Sequence, residues 1–477
     1  MRVSEYYNLG RTQPTLDFVD VDIIGDTRVF IDPRALRLLP SAWGDECVSL
    51  IQNFFRTILV AIHEGRHEDA RRLLRVLREP NETHLGWSQT KARGHGLGPQ
   101  SAKDVWQALS RSQAVKSGLL EDLEDTILMI DDIGPDIISD ISTNIIREPL
   151  IRYTQDMAAL YGLPLVPQVN SGPLWDPGRQ EWDAELVRMP ITSAGKLLLV
   201  PKVIVRQGME YDAEEYYRYY ILENLREVEL GSNSELVKLL KDGTPRVTIK
   251  DLKKKYGRGK SLIVEETRKH PELLNQYRDD KRASPQPPLD HLEIASSEGT
   301  APPDWDRLLS AVINIPSGRE HFSEYEKAIE SLLTTLFYPS LSNPQLQRDI
   351  HEGRKRIDLT YTNVATSGFF QWLGQHFSAP HIFIECKNYA GDPGNPELDQ
   401  LSGRFSPSRG QVGIQVCRNF LNTELFLKRC RDTALDNRGY ILPLDDGDLV
   451  QLVSERRKSF HRPEFSLLKE RFDSLIM

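Results

Sequence analysis

Two runs decide how this chain reads: Arg356-Ile357-Asp358-Leu359-Thr360-Tyr361 and, further on, His381-Ile382-Phe383-Ile384-Glu385-Cys386-Lys387-Asn388-Tyr389. Apolar and polar residues alternate in both with a period of two, which is the pattern of a strand. In the first run Ile357, Leu359 and Tyr361 share one face, so Asp358 points to the other. In the second, Ile382, Ile384 and Cys386 share a face, and Glu385 and Lys387 project together from the opposite one. Paired as neighbouring strands, the two runs set an Asp, a Glu and a Lys side by side.

That triplet has a chemical use. Two carboxylates on one surface repel each other unless a cation sits between them. Hard oxygen ligands of this kind suit Mg²⁺ or Mn²⁺, which keep waters for a substrate phosphate. Such a metal lowers the pKa of a bound water and screens charge building at phosphorus, and an adjacent lysine orients that water. The default reading of an isolated Glu-Xaa-Lys is a solvated strand with an internal ion pair. Here Glu385 ends a strongly apolar run, the mark of a central buried strand, where a charge needs a partner or a metal.

The pattern resembles the PD-(D/E)XK, or restriction-endonuclease-like, superfamily. Asp358 matches its Asp, and Glu385-Cys386-Lys387 its (D/E)XK. A Glu on the preceding helix matches Glu326, which follows Tyr325 and opens the helical pattern Ile329, Leu332, Leu333, Leu336. A Gln on the following helix matches Gln400 in Glu397-Leu398-Asp399-Gln400-Leu401. The chain departs from the family pattern in carrying Ile357, not Pro, before Asp358. The resemblance covers roughly the last third of the chain, one domain in scale. It implies Asp358, Glu385, Lys387, Gln400 and Glu326 as catalytic residues, with Asp358, Glu385 and Glu326 on Mg²⁺ or Mn²⁺.

Length and composition frame this. A chain of 477 residues is long enough for two or three domains. With 39% hydrophobic and 27% charged residues, it has the composition of a soluble globular protein. No run approaches the ~18 apolar residues of a membrane span, and residues 1–7 lack the apolar core of a signal peptide. Cys47, Cys386, Cys417 and Cys430 are scattered without a CxxC pair, which points away from zinc ribbons and disulfides and towards a reducing cytoplasm. The net charge of −9 runs against a surface that coats DNA, though a local basic groove suffices for a nuclease.

Along the chain, strand-like runs at Thr15–Ile24 and Arg28–Ile31 precede a helical pattern from Ser41 to Leu77. Gly94-His95-Gly96-Leu97-Gly98-Pro99 lacks the strand and Lys-Ser/Thr of a phosphate loop and reads as a turn before a helix near Ser101. Residues 117–146 hold neither Arg nor Lys. The acidic stretch 121–140 lacks calcium-loop spacing and reads as a solvated face, or as a charge mimic that docks on a basic partner. Lys196–Val205 reads as a buried strand broken by Pro201. Lys250, Lys253, Lys254, Lys255, Arg258 and Lys260 form the most basic run, ahead of a helix over Ser261–Tyr277. A phosphate-backbone contact and a solvated helix weigh equally there. A Pro- and Ser-rich segment then marks a linker.

The expected architecture is α/β. An N-terminal α+β region over 1–278, with its basic helical part at 244–278, leads through a linker at 279–304. A C-terminal domain follows over 305–477, a mixed sheet flanked by helices. Lys253, Lys254, Lys255, Arg404 and Arg418 are candidate nucleic-acid contacts, Arg404 sharing a helix face with Gln400. The expected function is Mg²⁺-dependent cleavage of DNA in the cytoplasm, without membrane association. The N-terminal region would serve a trigger, a protein partner or substrate recognition, and homo-oligomerisation fits cutting of both strands. Large N-terminal regions on nucleases resemble effectors of bacterial anti-phage defence, by analogy alone. Two rival readings stay open: an RNA-cleaving or nicking enzyme of the same fold, and an inactive binding scaffold that keeps it.

Overall fold

Alternation of the kind seen at Asp358 builds a five-stranded sheet in the computed structural model, which describes residues 1–86, 99–350, 355–389, 391, 394–459 and 464–477. The glycine-rich turn expected at 94–98 lies outside the described residues. The principal helices of the N-terminal part are α1 (Ala42–His63), α2 (Pro135–Ile145), α3 (Arg147–Tyr161), α4 (Ile249–Tyr256), α5 (Lys260–Lys269), α6 (Pro271–Ala283) and α7 (His291–Glu298). The C-terminal part runs α8 (Trp305–Ile313), α9 (Phe322–Phe337), β1 (Leu341–Ile350), β2 (Lys355–Asn363), α10 (Gly368–His376), β3 (His381–Lys387), α11 (Asn395–Ser402), β4 (Val412–Cys417), α12 (Thr423–Leu435), β5 (Tyr440–Leu444), α13 (Asp446–Lys458) and α14 (Ser466–Ile476).

The sheet order is β1-β2-β3-β4-β5. β1–β2 and β2–β3 pair antiparallel, while β3–β4 and β4–β5 pair parallel, so the sheet is mixed. Val412–Cys417 and Tyr440–Leu444 are almost wholly buried. That is what continuous apolar runs become when helices cover both faces of parallel strands. β1, α8, α10 and α14 were not legible in the sequence; β2, β3, α9, α11, β4, α12, β5 and α13 fall where the periodicity places them.

Buried apolar residues divide into two clusters. One runs from Val3 to Leu289 and Ile294, joined by Tyr338 and Val364. The other begins at Trp305 and fills the C-terminal α/β unit. The segment between them is not the open linker expected at 279–304. It contains α7, capped at Asp290, whose carboxylate accepts from the Leu292 and Glu293 N–H groups. His291, Ile294 and Ala295 are buried. An Asp cap followed by Glu three residues on is strong enough to nucleate a helix in a Pro-rich stretch.

The two parts are joined by buried polar contacts. The Arg11 guanidinium pairs with Glu330 at 2.6 Å. Asp17 accepts from Ser342 Oγ at 3.0 Å and from the Asn343 N–H at 3.1 Å. Asn343 has left-handed backbone (φ 52°) at the point where the β1–β2 register shifts. Asp17 thereby supports an irregular strand start from across the junction.

Several N-terminal expectations need correction. Residues 15–24 form isolated bridges and a short 3-10 turn, and only Phe30–Ile31 is a strand. Residues 197–200 are buried but irregular, ahead of a 3-10 turn at Lys202–Ile204, because Pro201 removes a ladder donor. The helix expected over Ser261–Tyr277 is two helices, α5 and α6, broken at His270-Pro271. The acidic stretch is a solvated face only in part: Glu121, Asp131, Asp132 and Asp136 are exposed. Glu124 and Asp125 are buried. Arg37 holds Asp122 at 2.7 Å and Glu124 at 3.3 Å, and Arg278 holds Asp125 at 2.5 Å and Glu121 at 3.1 Å. Arginines distant in sequence neutralise the run, which periodicity alone cannot reveal. Among the described residues, no helix is long and apolar enough to cross a membrane.

Candidate functional site

β2 and β3 bring the triplet together. Their register pairs Leu359 with Ile384, and one further step sets Asp358 opposite Glu385. Directly opposed residues of antiparallel strands point to the same face. The Cys386 N–H donates to Asp358 Oδ2 at 3.0 Å. Lys387 Nζ lies 2.9 Å from Glu385 Oε1 and donates to Gln400 Oε1 at 3.4 Å. Asp358, Glu385, Lys387 and Gln400 therefore form one connected group across β2, β3 and α11.

Glu385 is 1% exposed. Its second oxygen, Oε2, is held by the Arg404 guanidinium, so Glu385 stands between two cations. Arg404 does not share the α11 face with Gln400, since the helix ends at Ser402. Its side chain turns inward and is 5% exposed. As a nucleic-acid contact it is corrected to a buried partner of Glu385. Burial, and then the Glu385 charge, push the Asp358 carboxyl up to about 6, against weaker lowering by the Cys386 N–H, Lys387 and Arg404. Asp358 is the carboxylate of this pair that lacks full compensation.

Glu326 lies on α9 and is 3% exposed. Its charge acts on the buried Cys386 thiol together with those of Asp358 and Glu385. Among the described residues, however, no three His, Cys, Asp or Glu side chains are gathered closely enough to hold a metal ion. The carboxylates adjacent to one another are Asp358 and Glu385. Asp358 offers an oxygen short of positive charge, which suits a hard divalent cation, and Glu385 would join it as a ligand by exchanging Lys387 or Arg404 for the ion.

Of the remaining basic candidates, Arg418, Lys253 and Lys255 are engaged internally. Arg418 donates to the Val312 and Ile313 carbonyls at the end of α8, at 2.9 and 2.7 Å, and pairs with Asp446 at 3.2 Å. It caps a helix, because its strand ends against that helix terminus. Lys253 approaches Glu214 at 3.6 Å and the Tyr217 ring at 5.3 Å, and Lys255 pairs with Glu229. Lys254 is exposed. All three sit on α4 in the N-terminal part, apart from the triplet in the fold.

Two features escaped the sequence reading. Gln415 on β4 is register partner of Glu385. It is 0% exposed, and neither its Oε1 nor its Nε2 has a hydrogen-bond partner among the described residues. A lone glutamine within Val412-Gly413-Ile414-Gln415-Val416 was the available signal. The second is the link from Tyr389 OH to Glu397 Oε1 at 2.8 Å, which joins the end of β3 to α11. Glu397 also accepts from the Gly394 N–H at 2.7 Å, closing the helix start. This link holds the Gln400 helix beside Lys387.

Residues 8–212 match a family described as Domain of unknown function (DUF8370). That match covers less than half of the chain and ends before the sheet begins. Comparison with curated proteins and with solved structures gave no match.

Proposed function

We propose that this chain is a metal-dependent nuclease that hydrolyses DNA phosphodiester bonds, with a restriction-endonuclease-like C-terminal domain. The observation that carries this reading is the Asp358, Glu385 and Lys387 constellation on adjacent strands, with Gln400 on the following helix hydrogen-bonded to Lys387. Asp358 and Glu385 would hold Mg²⁺ or Mn²⁺, with Glu326 as a third carboxylate at longer range. The ion, when bound, supplies an activated water and screens charge on the phosphoryl oxygens.

The chain's own residues do the rest. Lys387, poised between Glu385 and Gln400, orients the attacking water and offsets charge in the transition state. Gln400 fixes the Lys387 ammonium. Asp358 acts as an anion, the form that offers its oxygens to the ion. Arg404 offsets the Glu385 charge in the buried strand. The test is cleavage of supercoiled plasmid with Mg²⁺ by wild type, Asp358→Asn and Lys387→Ala. Loss of cleavage in both folded variants supports the proposal, and wild-type rates in either sink it.

One observation favours a second reading, an inactive scaffold of the same fold: both Glu385 oxygens are already engaged, by Lys387 and Arg404. Calorimetric titration with Mn²⁺ separates the two. Heat of binding that vanishes in Asp358→Asn supports the enzyme, and no heat in wild type supports the scaffold.

A further inference from the structure

A cavity of about 580 Å³ lies in the N-terminal part, lined by Ile23, Ile24, Asn81, His84, Ser193 and Lys196 among others. Its size falls within the range of small-molecule sites. All of these residues lie in the region that matches the domain of unknown function.

Two observations make it more than a surface dent. His84 is 7% exposed, yet its buried Nδ1 has no hydrogen-bond partner among the described residues. A buried polar atom left unpaired is costly, so a partner arriving from outside the chain is the natural complement. The second observation is an ammonium without a close counter-ion. Glu82, which also lines the cavity, is ion-paired to the buried Arg147. Lys196 Nζ stands 4.0 Å from the same carboxylate, beyond a hydrogen bond, and donates to the Asn170 carbonyl at 3.1 Å. One carboxylate thus serves two cations. Arg147 Nε has no partner among the described residues. Burial, and then the neighbouring Arg147 charge, hold the Lys196 amine below its ordinary range. Asp22 is the carboxylate acting on His84, and it accepts from the Ile24 N–H at 2.9 Å.

Beside the Glu82 carboxylate, which Arg147 neutralises, the lining offers an ammonium, an imidazole, an amide and a hydroxyl against an apolar wall. A carboxylate, with two oxygens, leaves donors of this set unused, whereas a phosphoryl group presents three acceptor oxygens and carries more charge. We propose that this cavity binds a small phosphate-bearing molecule, its phosphoryl oxygens on Lys196 and His84 and its remainder against Ile23 and Ile24. The proposal stands apart from the nuclease reading and does not depend on it.

Titration calorimetry on the full chain tests it, with inorganic phosphate, adenosine monophosphate and acetate as probes. Binding of phosphate and the monophosphate with Kd of about 1 mM or tighter, and weaker binding of acetate, is expected. Lys196→Met and His84→Asn should each weaken it about tenfold or more, with far-UV circular dichroism as the fold check. Lys387→Ala is the control for phosphate held at the C-terminal triplet, and it should leave this binding unchanged. The proposal is overturned if wild type binds neither phosphate probe at about 10 mM. It is equally overturned if Lys387→Ala removes the binding while a folded Lys196→Met or His84→Asn keeps it.

Discussion

Replacing Asp358 with asparagine should make the chain more stable while stopping its chemistry. The carboxyl is pushed from its ordinary value of 3.8 to about 6, by burial first and by Glu385 second. In the native chain it therefore holds its proton to a higher pH than in the unfolded chain. Between these values stability falls as pH rises, because the unfolded state has already released the proton that the native state keeps. Above pH 6 the native state carries the full penalty of the ionised form, with a ceiling of about 3 kcal/mol from the size of the rise. Water at the strand end reduces this, and about 1–2 kcal/mol is expected. Asparagine keeps an oxygen to accept from the Cys386 N–H and removes the charge. Urea unfolding at pH 7.5 should show Asp358→Asn more stable than wild type by that amount, with the gap closing towards pH 4. Added Mg²⁺ should stabilise wild type and not the variant, since only a state that binds the ion gains from it. Asp358→Asn that is less stable than wild type at pH 7.5 by about 1 kcal/mol or more would refute the reasoning.

Other substitutions probe the same logic. Arg404→Met should destabilise the chain by about 2–4 kcal/mol, because it leaves the buried Glu385 with Lys387 alone; chemical denaturation reads it, and an unchanged midpoint contradicts the buried pairing. Gln415→Leu removes two unpartnered buried atoms beside Glu385, so it should be neutral or stabilising by about 1–2 kcal/mol, and a clear loss of stability would show that the amide is satisfied. Asp140 is pushed up to about 9, by burial first and then by Asp136, Glu79 and Asp26. Its wild-type penalty should grow as pH rises from about 4 to about 9, and Asp140→Asn should raise the melting temperature increasingly over that window. A pH-independent gain would contradict this.

The part of the fold that strand alternation controls was legible. Asp358, Glu385 and Lys387 meet as the period of two requires, and Gln400 follows on a helix because the apolar positions of 397–401 recur at helical spacing. What stayed hidden depends on partners distant in sequence. Glu124 and Asp125 are buried because Arg37 and Arg278 arrive from far along the chain. Arg404 reads as a helix-face residue until Ser402 ends the helix and turns it onto Glu385. Residues 290–298 fold because Asp290 caps them against the second part of the chain, where His291 Nε2 lies 2.9 Å from the Thr335 carbonyl. Composition marks that segment as an open linker, and tertiary contact overrides composition.

The central claim is that the sheet carries a metal-dependent phosphodiesterase site, and a substrate panel tests it most directly. Purified wild type, Asp358→Asn and Lys387→Ala should be incubated with duplex DNA, single-stranded DNA and RNA, with Mg²⁺, Mn²⁺ or a chelator. Wild type should cleave duplex DNA with either metal and not with the chelator, and both folded variants should cleave it about a hundredfold more slowly or worse. Wild type that cuts none of the three substrates with either metal, or Lys387→Ala that cuts at the wild-type rate, would contradict it.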